Sequence, residues 1–282
     1  MNIRTWFFTV AVLALHTSVF AGNGDYVVYN KTFSMSKSKI YEVFIDVDAG
    51  EVTVSRSATS QTVSVFMEYD RDQFDERVSF NDDKSRLKVQ LDHRGSFVKD
   101  DETHAIVEIS LPFDVEVMVD SRIKAGEITM YLGGIPIREF SMRNWAGETT
   151  VTFDQPNPVT MDVLDVNVKV GEMTIENLGN AHAKLMDINS GIGELTVDFN
   201  GDVIDGSKAR LDLDIGEASV YMPDNAGVKI SIGGFLKFMS AKNIDSDFYK
   251  RGSYYYSEDY ESQKKKLYVR ITPGLGELNI SR

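Results

Sequence analysis

The chain has 282 residues, a net charge of −13, no cysteine, and 42% hydrophobic residues. That composition excludes disulfide and thiol chemistry, and so acidic a surface repels nucleic acid and anionic lipid. The length suffices for one elongated domain or two compact ones.

The N-terminus carries Arg4, then an apolar run from Trp6 to Leu15, then Val19-Phe20-Ala21. This pattern is that of a leader over residues 1–21, cleaved after Ala21. The apolar run is too short to cross a bilayer of about 30 Å as a helix. No later segment reaches about 18 consecutive apolar residues, so no transmembrane segment is expected after cleavage. The expected location is the periplasm or the exterior.

Past the leader, one phrase recurs seven times. It runs Ala49-Gly50-Glu51-Val52-Thr53-Val54 and returns at Gly126, Gly147, Gly171, Gly193, Gly216 and Gly276, each followed by glutamate. From Gly126 to Gly216 the steps are 21, 24, 22 and 23 residues. A period in the low twenties fits one coil of a β-solenoid. Seven, five and one residues before each glycine the side chain is mostly apolar, as in Leu164, Val166 and Val170. Two and four residues after it the apolar positions resume in the other phase. The upstream alternation predicts a strand with one buried face, and the slip at Gly-Glu predicts a corner. Glycine suits that corner because it tolerates positive φ. The loops Asp154-Gln155-Pro156-Asn157-Pro158, Leu178-Gly179-Asn180 and Asn200-Gly201-Asp202 carry turn residues. A further bend is expected at Val163-Leu164 and Leu185-Met186.

The predicted fold is thus all-β: a single-stranded β-solenoid with coils of about 21–24 residues and no convincing helix. Residues 22–118 form an N-terminal β region, with antiparallel hairpins built from Val63–Tyr69, Leu87–Asp92 and Ile106–Leu111. The turns Asn81-Asp82-Asp83-Lys84 and Asp100-Asp101-Glu102 separate them. Residues 119–242 form the regular coils. Residues 243–282 form an irregular C-terminal cap and the last strands.

The Gly-Glu-x-Thr-apolar phrase, the strand end Ser110-Leu111-Pro112, and the closing Gly274-Leu275-Gly276-Glu277-Leu278-Asn279-Ile280 resemble the toast-rack and putative-adhesin β-solenoid domains of bacterial envelopes. The stretch Tyr254–Tyr260 before Leu267–Ile271 is similar to the tail of that family. The resemblance implies fold and an envelope role in adhesion or stress response. It implies no catalytic residue and no cofactor.

Residue chemistry gives two candidate sites. The corner glutamates, with Glu148, Glu172 and Glu194 at the centre of the series, would stack about 4.8 Å apart, where like charges in water repel by roughly 0.9 kcal/mol. A hard cation would relieve that repulsion. Solvation or capping of corner N–H groups would equally account for them. The second candidate is the aromatic group Tyr249, Tyr254, Tyr255, Tyr256 and Tyr260, suited to a glycan or protein partner from the envelope. Alternate tyrosines could instead cover the last coil.

Catalytic spacings are absent. His93, His104 and His182 do not form HExxH, and there is no nucleophile elbow or P-loop. Asp162, Asp187 and Asp212 recur every 25 residues, but their frame relative to the glycine shifts. The expected function is a non-catalytic, adhesin-like or scaffolding module of the envelope. The alternatives are a carbohydrate-active β-helix enzyme and a regulatory ectodomain of an envelope-stress response.

Overall fold

The structure is a computed structural model that describes residues 26–95, 104–233 and 241–282. The expected leader over residues 1–21 and the turn Asp100-Asp101-Glu102 lie outside the described residues. The protein is all-β. In chain order the strands are β1 (Tyr26–Ser34), β2 (Tyr41–Arg56), β3 (Thr62–Asp70), β4 (Phe74–Asn81), β5 (Arg86–His93) and β6 (Ala105–Leu111). They continue as β7 (Val117–Tyr131), β8 (Ile137–Ala146), β9 (Thr149–Thr152), β10 (Met161–Glu176), β11 (Ala183–Asp198) and β12 (Ser207–Tyr221). The last are β13 (Gly227–Ile232), β14 (Ala241–Ile244), β15 (Phe248–Arg251), β16 (Tyr254–Ser257) and β17 (Lys266–Ser281). Among the described residues the one helical element is a single 3-10 turn, Leu178–Ala181. No helix there is long and apolar enough to cross a membrane.

The repeat phrase fixes the strand register. β2, β7, β8 with β9, β10, β11, β12 and β17 lie side by side in parallel, in that order. Gly50 stands beside Gly126, Gly171 beside Gly193, Gly193 beside Gly216, and Gly216 beside Gly276. Each phrase is therefore one rung of a parallel stack. The outward column Thr53, Thr129, Thr150, Thr174, Thr196, Ser219, Asn279 follows from the same register. Such β-branched and hydroxyl neighbours support a sheet by roughly 0.2–1 kcal/mol per pair.

The stack is not laid down in chain order at its ends. β17 enters between β12 and the rung formed by β13 and β14, pairing in parallel with both sides. The C-terminal insertion is therefore an outer rung plus the β15–β16 hairpin, and the last strand of the chain is an inner one. The other end mirrors this. β5 and β6 together make the rung outside β2, again in parallel. The 76-residue step from Gly50 to Gly126 and the 60-residue step from Gly216 to Gly276 contain these outer rungs. Antiparallel strands then cover them: β4 on β5, β3 on β6 with β1 on β3, and β16 on β13. Covering an outer strand with a hairpin removes open backbone groups that would pair with another chain.

The corner follows from close approach. Gly193 has φ +142°, and a Cβ added there would lie 1.8 Å from the Gly171 carbonyl oxygen of the neighbouring rung. At Gly216 the corresponding distance to Gly193 is 1.7 Å. Only glycine meets both demands.

Burial corrects one part of the pattern. The positions seven and five before the glycine, and two and four after it, are core, as expected: Leu164, Val166, Met173 and Ile175 are buried. The position one before is core at Ala49 and not in the later rungs. Val170, Ile192, Ile215 and Leu275 are 48, 51, 45 and 47% exposed and stand beside one another. The third buried position is three before the glycine: Val47, Ile123, Asn144, Val168, Ser190 and Leu213. The chain leaves the core one residue pair earlier than the Gly-Glu slip suggests, so the turn spans four residues, Lys169 to Glu172 in β10. The exposed aliphatic row shields itself by rung-to-rung contact. At Val163 and Leu185 the strand does not break; both side chains turn outward while Leu164 and Met186 turn inward.

Candidate functional site

The corner glutamates stack as the register requires: Glu51 beside Glu127, Glu172 beside Glu194, Glu194 beside Glu217, and Glu217 beside Glu277. Glu148, Glu172 and Glu194 are exposed to solvent. Where the row ends, Asn279 donates its amide to Glu217 and Asn243 donates to Glu277, both at 3.1 Å. Among the described residues no three carboxylate or imidazole groups converge as a metal site would need. Asp162, Asp187 and Asp212 fall in three different columns. Asp162 pairs with Lys184 at 2.6 Å, Asp187 lies beside Asp165, and Asp212 lies beside Asn189.

The outward face upstream of the corner changes sign along the stack. Six residues before the glycine the column reads Phe44, Asp120, Ser141, Asp165, Asp187, Arg210, Arg270. The half nearer the N-terminus carries a groove of about 580 Å³ over Phe44, Met118 and Val163, with Arg86 and Lys88 at one side and Asp120, Glu139 and Asp165 at the other. Lys88 and Arg122 lie over the Phe44 ring at 5.2 and 5.0 Å from its centre. Burial pushes the Asp165 carboxyl up; Arg143 opposes this, while Asp187 and Asp120 add to it. Within this groove Arg86 pairs with Glu42 at 2.5 Å, and Asp120 pairs with Arg122 beside it at 3.1 Å.

The tyrosines gather at the other end. β16 pairs with β13 and β15, so its alternate side chains face opposite sides. Tyr254 and Tyr256 share the outward face, where Tyr256 stacks on Tyr249 at 5.8 Å and meets Tyr260 edge-on at 4.9 Å. Tyr254 meets Tyr256 edge-on at 6.3 Å. Tyr255 does not join them. It packs partly against the core and accepts a hydrogen bond from Lys242 at 2.8 Å, which pulls its hydroxyl pKa down. Tyr260 is pushed up to about 12, by burial first and then by its hydrogen bond to Tyr268.

Four further residues at this face do not stand out in the sequence: Lys208, Lys229, Tyr268 and Arg270. β12, β17 and β13 carry them to one place. Lys208 lies beside Tyr268, Tyr268 beside Lys229, and Lys229 beside Tyr256; Arg270 lies beside Ser231, and Ser231 beside Tyr254. Lys229 stands over Tyr254 at 4.0 Å and over Tyr256 at 5.6 Å from the ring centres. Together with Ser231 they line a depression of about 310 Å³ with no acidic side chain in its wall. The signal was in the repeat: eight and six residues before the glycine, Lys208 and Arg210 in one rung and Tyr268 and Arg270 in the next replace Val163, Leu185 and the aspartates of earlier rungs.

Comparison with known proteins places this architecture. Residues 22–175 match the family described as the N-terminal domain of toast_rack, DUF2154. The chain belongs to the toast-rack family. No curated protein matches it. Among solved structures, a "putative cell adhesion protein" from Clostridium sporogenes is similar at 15% identity and TM-score 0.46, over 90% of this chain and 99% of its own. A "putative adhesin" from Bacteroides fragilis is similar at 11% identity and TM-score 0.36, over 90% and 96%. A "putative lipid binding protein" from Parabacteroides distasonis is similar at 10% identity and TM-score 0.29, also over 90% and 96%. The tyrosine and lysine face lies beyond the residues that the toast-rack match covers.

Proposed function

We propose that this toast-rack protein is an exported, non-catalytic β-solenoid of the cell envelope that acts as an adhesin-like binding module. In this reading residues 1–21 are removed after Ala21. Residues 22–118 lead into the solenoid, 119–242 form its regular coils, and 243–282 complete its C-terminal end. The parallel, in-register rungs and the glycine column support the solenoid description. The corner glutamates serve the corner and its solvation.

One observation carries the binding role: Tyr249, Tyr254, Tyr256 and Tyr268 stand exposed or half-exposed on one face of a hydrogen-bonded stack. Tyrosine offers a large contact area and a hydroxyl while losing little side-chain freedom. A partner from the envelope, glycan or protein, would meet a surface already ordered by the sheet, which lowers the cost of binding. The test is co-sedimentation of the mature protein with a purified envelope fraction. The Tyr254→Ala/Tyr256→Ala pair should lose most of the bound protein while its melting temperature stays within a few degrees of the parent. Undiminished binding by that pair would refute the assignment of the face.

A further inference from the structure

We propose that the depression formed by Lys208, Lys229, Tyr254, Tyr268 and Arg270 binds an acidic glycan, a chain of sugar rings bearing carboxylates. This rests on the binding role proposed above and names its ligand class.

The argument begins with charge. The chain carries −13 overall, yet the wall of this depression holds two lysines and an arginine and no acid. Lys208 and Arg270 make no ion pair within 4.0 Å among the described residues, while the neighbouring Arg210 is taken by Asp212 at 2.6 Å. Unspent cations gathered in a hollow raise the local concentration of anions.

Shape and chemistry then select a sugar. The volume, about 310 Å³, lies at the lower end for small-ligand pockets. Its aromatic members are tyrosines, whose negative ring faces attract the partly positive C–H edges of a sugar ring, while their hydroxyls meet its hydroxyls. Arg270 presents a planar fork that matches a carboxylate with two parallel N–H bonds. Lys208 lies one rung away on the far side of Tyr268. Successive rungs are about 4.8 Å apart, so Lys208, Tyr268 and Lys229 alternate cation, ring, cation across three adjacent rungs. A chain of sugars with regularly placed carboxylates running across the rungs meets that alternation. A simple anion uses the cations alone and leaves the tyrosine without a role.

The test uses the mature full chain and calorimetric titration at low salt with tetragalacturonate, with maltotetraose as the neutral sugar and tetraglutamate as the anion without sugar. The expected result is binding of tetragalacturonate that weakens as salt is raised, at least tenfold weaker binding of the other two probes, and at least a tenfold loss in Lys208→Gln/Arg270→Gln. Tyr268→Ala should show a comparable loss, with melting temperatures held near the parent's. Equal or tighter binding of tetraglutamate, or unchanged binding in the Lys208→Gln/Arg270→Gln pair, overturns the proposal. So does an absence of tetragalacturonate binding by the parent. If envelope co-sedimentation still depends on Tyr254 and Tyr256 in that event, the binding face stands and only its ligand class falls.

Discussion

Asn157 and Ile137 bond each other in both directions: the Asn157 amide donates to the Ile137 carbonyl at 2.8 Å, and its side-chain oxygen accepts from the Ile137 N–H at 3.3 Å. The same amide also donates to the Ala181 carbonyl at 3.2 Å, so one buried side chain spans three consecutive rungs. Asn180 repeats the device one rung on, donating to Phe153 and accepting from Asp202. The loops opposite the glycine corners are thus joined rung to rung, as the strands are.

Asn157→Ala removes the donor from two buried carbonyls. Leaving buried polar groups unpaired costs about 1–3 kcal/mol each, so the variant should be less stable by roughly 3 kcal/mol. Urea denaturation should show a lower midpoint with an unchanged slope. A midpoint equal to the parent's would mean that the bridge contributes nothing.

The glycine column gives a paired test. Gly193→Ala meets both a positive φ and the Gly171 carbonyl, whereas Gly206→Ala, at φ +78°, meets open space. Backbone strain alone costs about 1–2 kcal/mol, and forced overpacking adds roughly 1–3 kcal/mol. Gly193→Ala should therefore be the more destabilising of the two, measured by the same denaturation. Equal losses would show that conformation, and not the approach of the neighbouring rung, explains the glycines.

Ser190 occupies a core column between Val168 and Leu213, and its hydroxyl is buried without a hydrogen-bond partner among the described residues. Ser190→Val replaces an unpaired polar group with the aliphatic type that its neighbours carry. It should stabilise the protein by about 1–2 kcal/mol and raise the thermal midpoint. A lower midpoint would indicate that the column is already full.

The carboxylate of Asp259 takes both arms of Arg282, at 2.7 and 2.8 Å, beside the last strand. The Arg282 guanidinium first, and Gln263 and Ser257 after it, hold the Asp259 carboxyl well below the usual carboxylate range against the opposing effect of burial. A depressed folded value stabilises the fold above the unfolded pKa of about 3.9 and loses that stability as pH falls toward the folded value. Asp259→Asn should lower stability near neutral pH by roughly 1–3 kcal/mol. The gap between variant and parent should close as pH drops below about 4. A gap independent of pH would contradict an ionic origin.

Much of the fold was legible because a parallel, in-register stack forces equivalent residues into columns. The glycines, the threonines and the core positions at seven and five before and two and four after the corner could be read from one phrase. The third core column could not, because Asn144 and Ser190 interrupt it. Asn144 is satisfied there by donating to Thr149, which no periodicity shows. Conversely Val170, Ile192 and Ile215 look like core because they shelter one another while facing water. The entry of β17 between β12 and β13 was hidden as well: a long gap in a period signals an insertion and says nothing of which side of the final rung it occupies. At the candidate site the tyrosines stood out as a run in sequence that grouped Tyr255 with Tyr254 and Tyr256, and only the pairing of β16 with β13 turns Tyr255 to the core side. Lys208, Lys229 and Arg270 did not stand out, since they come from three strands and meet only through the register.

The most direct test of where this protein binds is hydroxyl-radical footprinting of the mature chain with and without the envelope fraction that it sediments with. Tyr254, Tyr256 and Tyr268 should become protected, while Tyr26, Tyr131 and Tyr221, exposed elsewhere on the stack, should stay reactive. Protection confined to Phe44 and Met118, with Tyr254 and Tyr268 as reactive as in the free protein, would contradict the account.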